Sequence, residues 1–134
     1  MSQHVWINFD ESIEPDNRFW ITNRFVFSNI FNRAKALFRP AELVCQEAGY
    51  QEWGIEGLEL SYVDKNCFSI FCARCEETFN KYPDEKAMEY ENSSEDRRGT
   101  YEHVAWEWTE ILNRLRLDVR CDPVWIAEYI IKNP

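Results

Sequence analysis

The chain has 134 residues, a length that suits a single domain able to bury a core of its own. Its formal charge of −9 disfavours a nucleic-acid backbone or an anionic membrane as the surface it meets. Aromatic residues make up 16%, which supplies enough anchoring area to exclude disorder along most of the chain.

In chain order, VWINFD at 5–10 alternates and predicts a short first strand, and IEPDN then reads as a turn. Phe27, Ile30, Phe31, Ala34, Leu37 and Phe38 recur at helical spacing, so 23–38 is expected to be an amphipathic helix that Pro40 ends. Pro40 also suits the first turn of a second helix, PAELVCQEAG, closed by Gly49. YQEWGIEG follows as a loop, with Gly54 and Gly57 as breakers.

LELSYV alternates at period two, DKN is a turn, and CFSIFCA alternates again, which predicts a β-hairpin near 58–73. From Cys72 the pattern turns helical through Cys75, Phe79 and Tyr82, and Pro83 is expected to stop it. The segment 84–99 is the most polar of the chain and reads as an exposed loop. Thr100 suits an N-cap for a helix whose apolar stripe is Val104, Ala105, Trp108, Ile111, Leu112 and Leu115. Asp122-Pro123 pairs a capping residue with a first-turn proline and opens a last helix, PVWIAEYIIK. The sum is one helix-rich α+β domain over 1–134, with four to five helices and a small antiparallel sheet.

CFSIFCARC at 67–75 spaces three cysteines as C-x4-C-x2-C, the opening of a plant-type iron–sulfur pattern, with Cys121 or Cys45 as conceivable fourth ligand. The spacers oppose that chemistry. A ligand loop folds back through small residues so that backbone N–H groups reach the sulfurs, whereas Phe68, Ile70 and Phe71 suit a packed element. Zinc would need a second ligand pair at short spacing beyond Cys72 and Cys75, and Cys121, His4 and His103 are scattered. A redox CxxC would need a strand–turn–helix inside a βαβ unit, which the flanking pattern lacks. Cys67, Cys72 and Cys75 are therefore read as small buried hydrophobes, with no metal and no cofactor expected. The odd count of five cysteines and the polar start MSQHVWINFDE point to a reducing cytoplasm. No apolar run approaches the roughly 20 residues of a spanning helix.

Charge is distributed in blocks. Residues 17–41 carry five bases and no acid, 40–64 carry six acids and no base, and 76–96 carry eight acids against Lys81 and Lys86. Several aromatics lie off the apolar stripes: Trp53 in the acidic loop, Tyr90 in the polar segment, and Trp106, about 200° round the helix from Val104. An aromatic anchor ringed by carboxylates is the composition of a hot spot for a basic protein. The candidate partner-binding residues are Glu52, Trp53, Glu56, Glu59, Asp84, Glu85, Glu89, Tyr90, Glu91 and Trp106. With four glycines, no phosphate-binding loop can be assembled, and neither a zinc-protease helix nor a nucleophile elbow occurs.

The expectation is a binding protein without enzymatic turnover, of the kind that neutralises a basic nuclease-type toxin as an immunity protein or antitoxin does. A decoy that mimics DNA is the weaker alternative, because 15 bases interrupt the carboxylate array. A redox or metal protein built on Cys67, Cys72 and Cys75 is the other alternative.

Overall fold

The computed structural model describes residues 2–42, 45, 57–89 and 101–133. Among them are three strands, β1 (Ser2–Trp6), β2 (Phe19–Asn23) and β3 (Gly57–Glu59). Four helices accompany them: α1 (Arg24–Ala36), α2 (Lys65–Glu89), α3 (Tyr101–Arg116) and α4 (Pro123–Lys132). Short 3-10 turns occupy Pro15–Asn17 and Pro40–Glu42. The fold is a helix-rich α+β arrangement, as the periodicities predict.

β1 is the middle strand, antiparallel to β2 and parallel to β3, so the sheet is mixed and not purely antiparallel. β2 is absent from the sequence reading. Phe19, Trp20, Ile21 and Thr22 are apolar or β-branched on both faces, so period two leaves no polar trace to mark the strand. Val5, Ile7, Trp20, Thr22 and Leu58 turn inward and are buried.

α1 forms where it is expected. Phe27, Phe31, Ala34 and Phe38 fall on one face and are all buried. Phe31 links the layers, edge-on to Trp20 of β2 at 6.2 Å and stacked on Phe71 of α2 at 5.7 Å. Truncating such a ring to Ala costs about 3–5 kcal/mol.

The expected hairpin is not there. The chain leaves β3, turns at Ser61–Tyr62, and enters α2 at Lys65. Asp64 is the reason: its Oδ1 accepts from the Cys67 amide at 2.8 Å, which caps a helix start where DKN resembles a turn. Residues 68–75 are buried all round because α2 packs on α1, α3 and α4. A helix enclosed on every side shows no polar stripe, and its short apolar run cannot be told from a strand by period. α2 also continues through Pro83 to Glu89, so 84–89 are helical and not loop. A proline removes one backbone bond, and the turn before it is held by packing, with Phe79 against Trp108 at 5.6 Å.

Of the expected stripe, α3 buries Trp108, Ile111, Leu112 and Leu115, and Ala105 is half-buried. α4 starts as expected, Asp122 accepting from the amides of Val124 and Trp125. The second helix expected from Pro40 appears as the 3-10 turn Pro40–Glu42 and a helical Cys45; 46–56 and 90–100 lie outside the described residues.

Candidate partner-binding surface

The outer face of the sheet is aromatic. His4 and Trp6 alternate with buried Val5 on β1, and the register sets His4 opposite Ile21 and Trp6 opposite Phe19. The His4 and Trp6 rings stack at 5.6 Å, and Trp6 meets Phe19 at 5.5 Å. Trp6 and Ile21 remain 43% and 47% exposed, a large apolar area to leave in water. Glu59 of β3 pairs in register with Trp6 on the other side, and its carboxylate accepts from the Ser61 amide at 2.9 Å.

Among the described residues β2 ends the sheet, and α3 runs beside it. Between them lies a groove of about 270 Å³, with Phe19, Trp20 and Ile21 on one wall and Trp106, Glu107 and Glu110 on the other. Trp106 is 57% exposed, since burial of the stripe through Trp108 and Leu112 turns it outward. Asp16 and Arg114 close one end, where Arg114 donates to the Asp16 carbonyl at 3.1 Å and to Glu110 Oε2 at 3.1 Å. Asp16 and Glu110 thus bring carboxylates to the aromatic rim, that of Glu110 paired with Arg114, while Glu107 lines the groove as a buried residue.

Of the residues expected at an interface, Trp106 and Glu59 are on this surface, linked through Trp6 and Phe19. Asp84, Glu85 and Glu89 belong to the last turns of α2. Glu52, Trp53, Glu56, Tyr90 and Glu91 lie outside the described residues. Sequence reasoning missed Trp6, Asp16, Phe19, Ile21, Glu107 and Glu110. The four-residue step from Trp106 to Glu110 is a signal that could have found Glu110, whereas FWITN offers none for β2.

The other charged clusters are internal. Arg74 of α2, wholly buried, donates from Nε and Nη2 to both oxygens of Glu42 at 2.9 and 2.7 Å, and from Nη1 to Glu77 at 2.9 Å. Tyr129 of α4 donates to Glu42 as well. Burial alone would raise the Glu42 carboxyl, but these donors together hold it below its ordinary value. Burial and the Glu42 contact push the Tyr129 phenol up to about 12.

A second cluster centres on Arg120, which lies 3.9 Å from the Phe68 ring centroid. It donates to the carbonyls of Ile7 at 2.7 Å and Leu60 at 2.8 Å, to that of Val63, and to Asp118. Asp118 is buried, yet Arg120 and Asn8 outweigh desolvation and keep its carboxyl low. Every partner in both clusters is a group of the fold itself, so they are fasteners between elements.

The cysteines divide three ways. Cys67 is disulfide-bonded to Cys45, with Cα atoms 5.4 Å apart, which corrects its reading as a free buried thiol. Cys72 and Cys75 are buried thiols, and burial pushes both well up. Cys121 is half-buried, and a hydrogen bond with Cys72 draws it below its ordinary value. The three sulfurs of CFSIFCARC therefore do not converge. Among the described residues no group of three or more His, Cys, Asp or Glu side chains is placed to hold a metal ion. No helix among them is long and apolar enough to cross a membrane.

No protein-family model matches this chain, and comparison with curated proteins and with solved structures likewise finds no match.

Proposed function

We propose that this protein acts by binding, without turnover, and that it neutralises a basic protein, of which a nuclease-type toxin domain is the best-fitting class. One observation carries the reading: the 57% exposed Trp106 stands at the rim of a groove lined by Asp16, Glu107 and Glu110. A nuclease must be cationic where it grips phosphates, so a blocker of that face needs carboxylates for steering and an aromatic ring for residence. The groove offers both on a chain of charge −9. A DNA decoy needs its carboxylates in a regular array on an otherwise polar face, and the aromatic sheet face beside this groove suits a protein partner better.

The reading places the protein in the cytoplasm of the cell it protects. Glutathione there favours thiols over the Cys45–Cys67 bond, so five free thiols are expected in cells and three after air oxidation.

The test is capture followed by inhibition. Tagged wild-type protein is expected to retain a cationic nuclease domain and to stop its cleavage of RNA or DNA at one equivalent. Trp106→Ala should weaken the complex at least thirtyfold, the effect of losing a hot spot worth about 2 kcal/mol. Recovery of the same partners on wild type and Trp106→Ala, or retention with no inhibition, refutes the reading.

A further inference from the structure

We propose that the groove receives its partner as an added β-strand, an extended segment of alternating basic and apolar residues laid antiparallel or parallel along β2. This rests on the reading of the groove as a site for a basic protein, and names the form in which that protein enters it.

The phase of β2 is set by the bond from the Ile7 amide to the Arg18 carbonyl at 2.8 Å. Along an antiparallel pair, residues alternate between bonding their neighbour and facing away from it. With Ile7 and Arg18 bonded, Trp20 opposite Val5 and Thr22 opposite Gln3 also bond inward to β1. The backbone N–H and C=O of Phe19 and Ile21 then point to the far side, where the sheet ends and the groove begins. An edge with no strand beyond it among the described residues is a template for another strand.

The walls specify what that strand carries. Side chains alternate across it, so one set lies beside Phe19 and Ile21 on the outer face and the other turns towards α3. The first set meets apolar surface continuous with Trp6, and directly opposed apolar residues stabilise such pairs. The second set meets Glu110, with the Trp106 ring beside it for the aliphatic stem or cationic head of Lys or Arg. A second copy of this chain is the poorer occupant, because its own β2, Phe19–Asn23, brings no basic residue to the acidic wall and each chain bears −9.

Isotope-labelled wild-type protein is titrated with the peptide acetyl-KVKVKVKV-amide, its Glu counterpart EVEVEVEV, and two N-methylated forms of the Lys peptide, methylated on alternate residues in either phase. Expected are binding of the Lys peptide and not the Glu peptide, at least tenfold slower hydrogen exchange at the Phe19 and Ile21 amides, and at least tenfold weaker binding of one methylated phase than the other. Binding of the Lys peptide with no protection at those amides, or equal affinity of the two methylated phases, overturns strand addition and leaves the acidic site standing. Equal binding of the Lys and Glu peptides overturns the basic strand and removes the charge preference beneath it, and binding of neither overturns strand addition. Protection of the same amides by self-association, seen in sedimentation equilibrium without peptide, makes a second copy the occupant and overturns the basic-strand proposal.

Discussion

Arg74 is a full charge with no exposed surface, held by Glu42, Glu77 and the carbonyl of Asn133. Removing one member of such a set leaves the others charged and dry, which costs about 3–5 kcal/mol, whereas an apolar replacement of the whole set can be neutral. Arg74→Ala is therefore expected to lower unfolding stability by that amount in urea titration. Adding Glu42→Gln to it should recover part of the loss, because the stranded carboxylate is gone. The acid limb follows from the same residues. Glu42 and Asp118 have folded-state values below their unfolded 4.5 and 3.8, so their contribution is complete at neutral pH. It is lost as the pH falls through those lower folded values, and the urea midpoint should drop between pH 6 and pH 3. Tyr129 works at the other end: its value rises from 10.0 to about 12, so its stabilisation holds at neutral pH and disappears as the pH climbs through that window.

Among the elements, the Cys45–Cys67 bond ties the segment after α1 to the first turn of α2 across a separation of 22 residues. In the chain-entropy account a loop of this size contributes about 3 kcal/mol. Reduction, or Cys67→Ser, should lower stability by about that much while far-UV circular dichroism stays the same. How legible the elements are depends on what each faces. α1, α3 and α4 border solvent on one side, so their polar stripes and end signals can be read; Asp122-Pro123 marks the start of α4 to the residue. α2 is enclosed by protein over 68–75, and β2 carries apolar or β-branched residues on both its buried and its exposed face, so the polar residues that would report their period are missing. Cys67 was hidden for another reason. Its bonded partner is far away in sequence, and spacing reports only near neighbours.

For the whole molecule, charge and exposure separate binding from stability. Trp106 is more than half exposed, so Trp106→Ala should shift folding by no more than about 0.5 kcal/mol even where it weakens association thirtyfold. The association rate with a basic partner should fall steeply between low and physiological salt, measured by stopped flow, while the dissociation rate changes little. The site was half legible for a physical reason. Composition reports that acids and aromatics are in excess, and helical phase reports that Trp106 leaves the stripe. Neither reports that residues 16–21 and 106–114 meet, because that depends on the edge of a strand with no period of its own.

Arg120 bears on how the chain comes off the ribosome. Its guanidinium fastens Ile7 at the end of β1 to Leu60 and Val63 just after β3, joining parts of the chain more than a hundred residues apart. Nascent chains ending before residue 120 lack that clasp, and α4, which packs on α2, is made later still. The parallel pairing of β1 with β3 therefore lacks its clasp until residue 120 has been made. Chaperone traffic on this protein should concentrate on that interval, and stalled chains of about 115 residues should be protease-sensitive where the released protein is not.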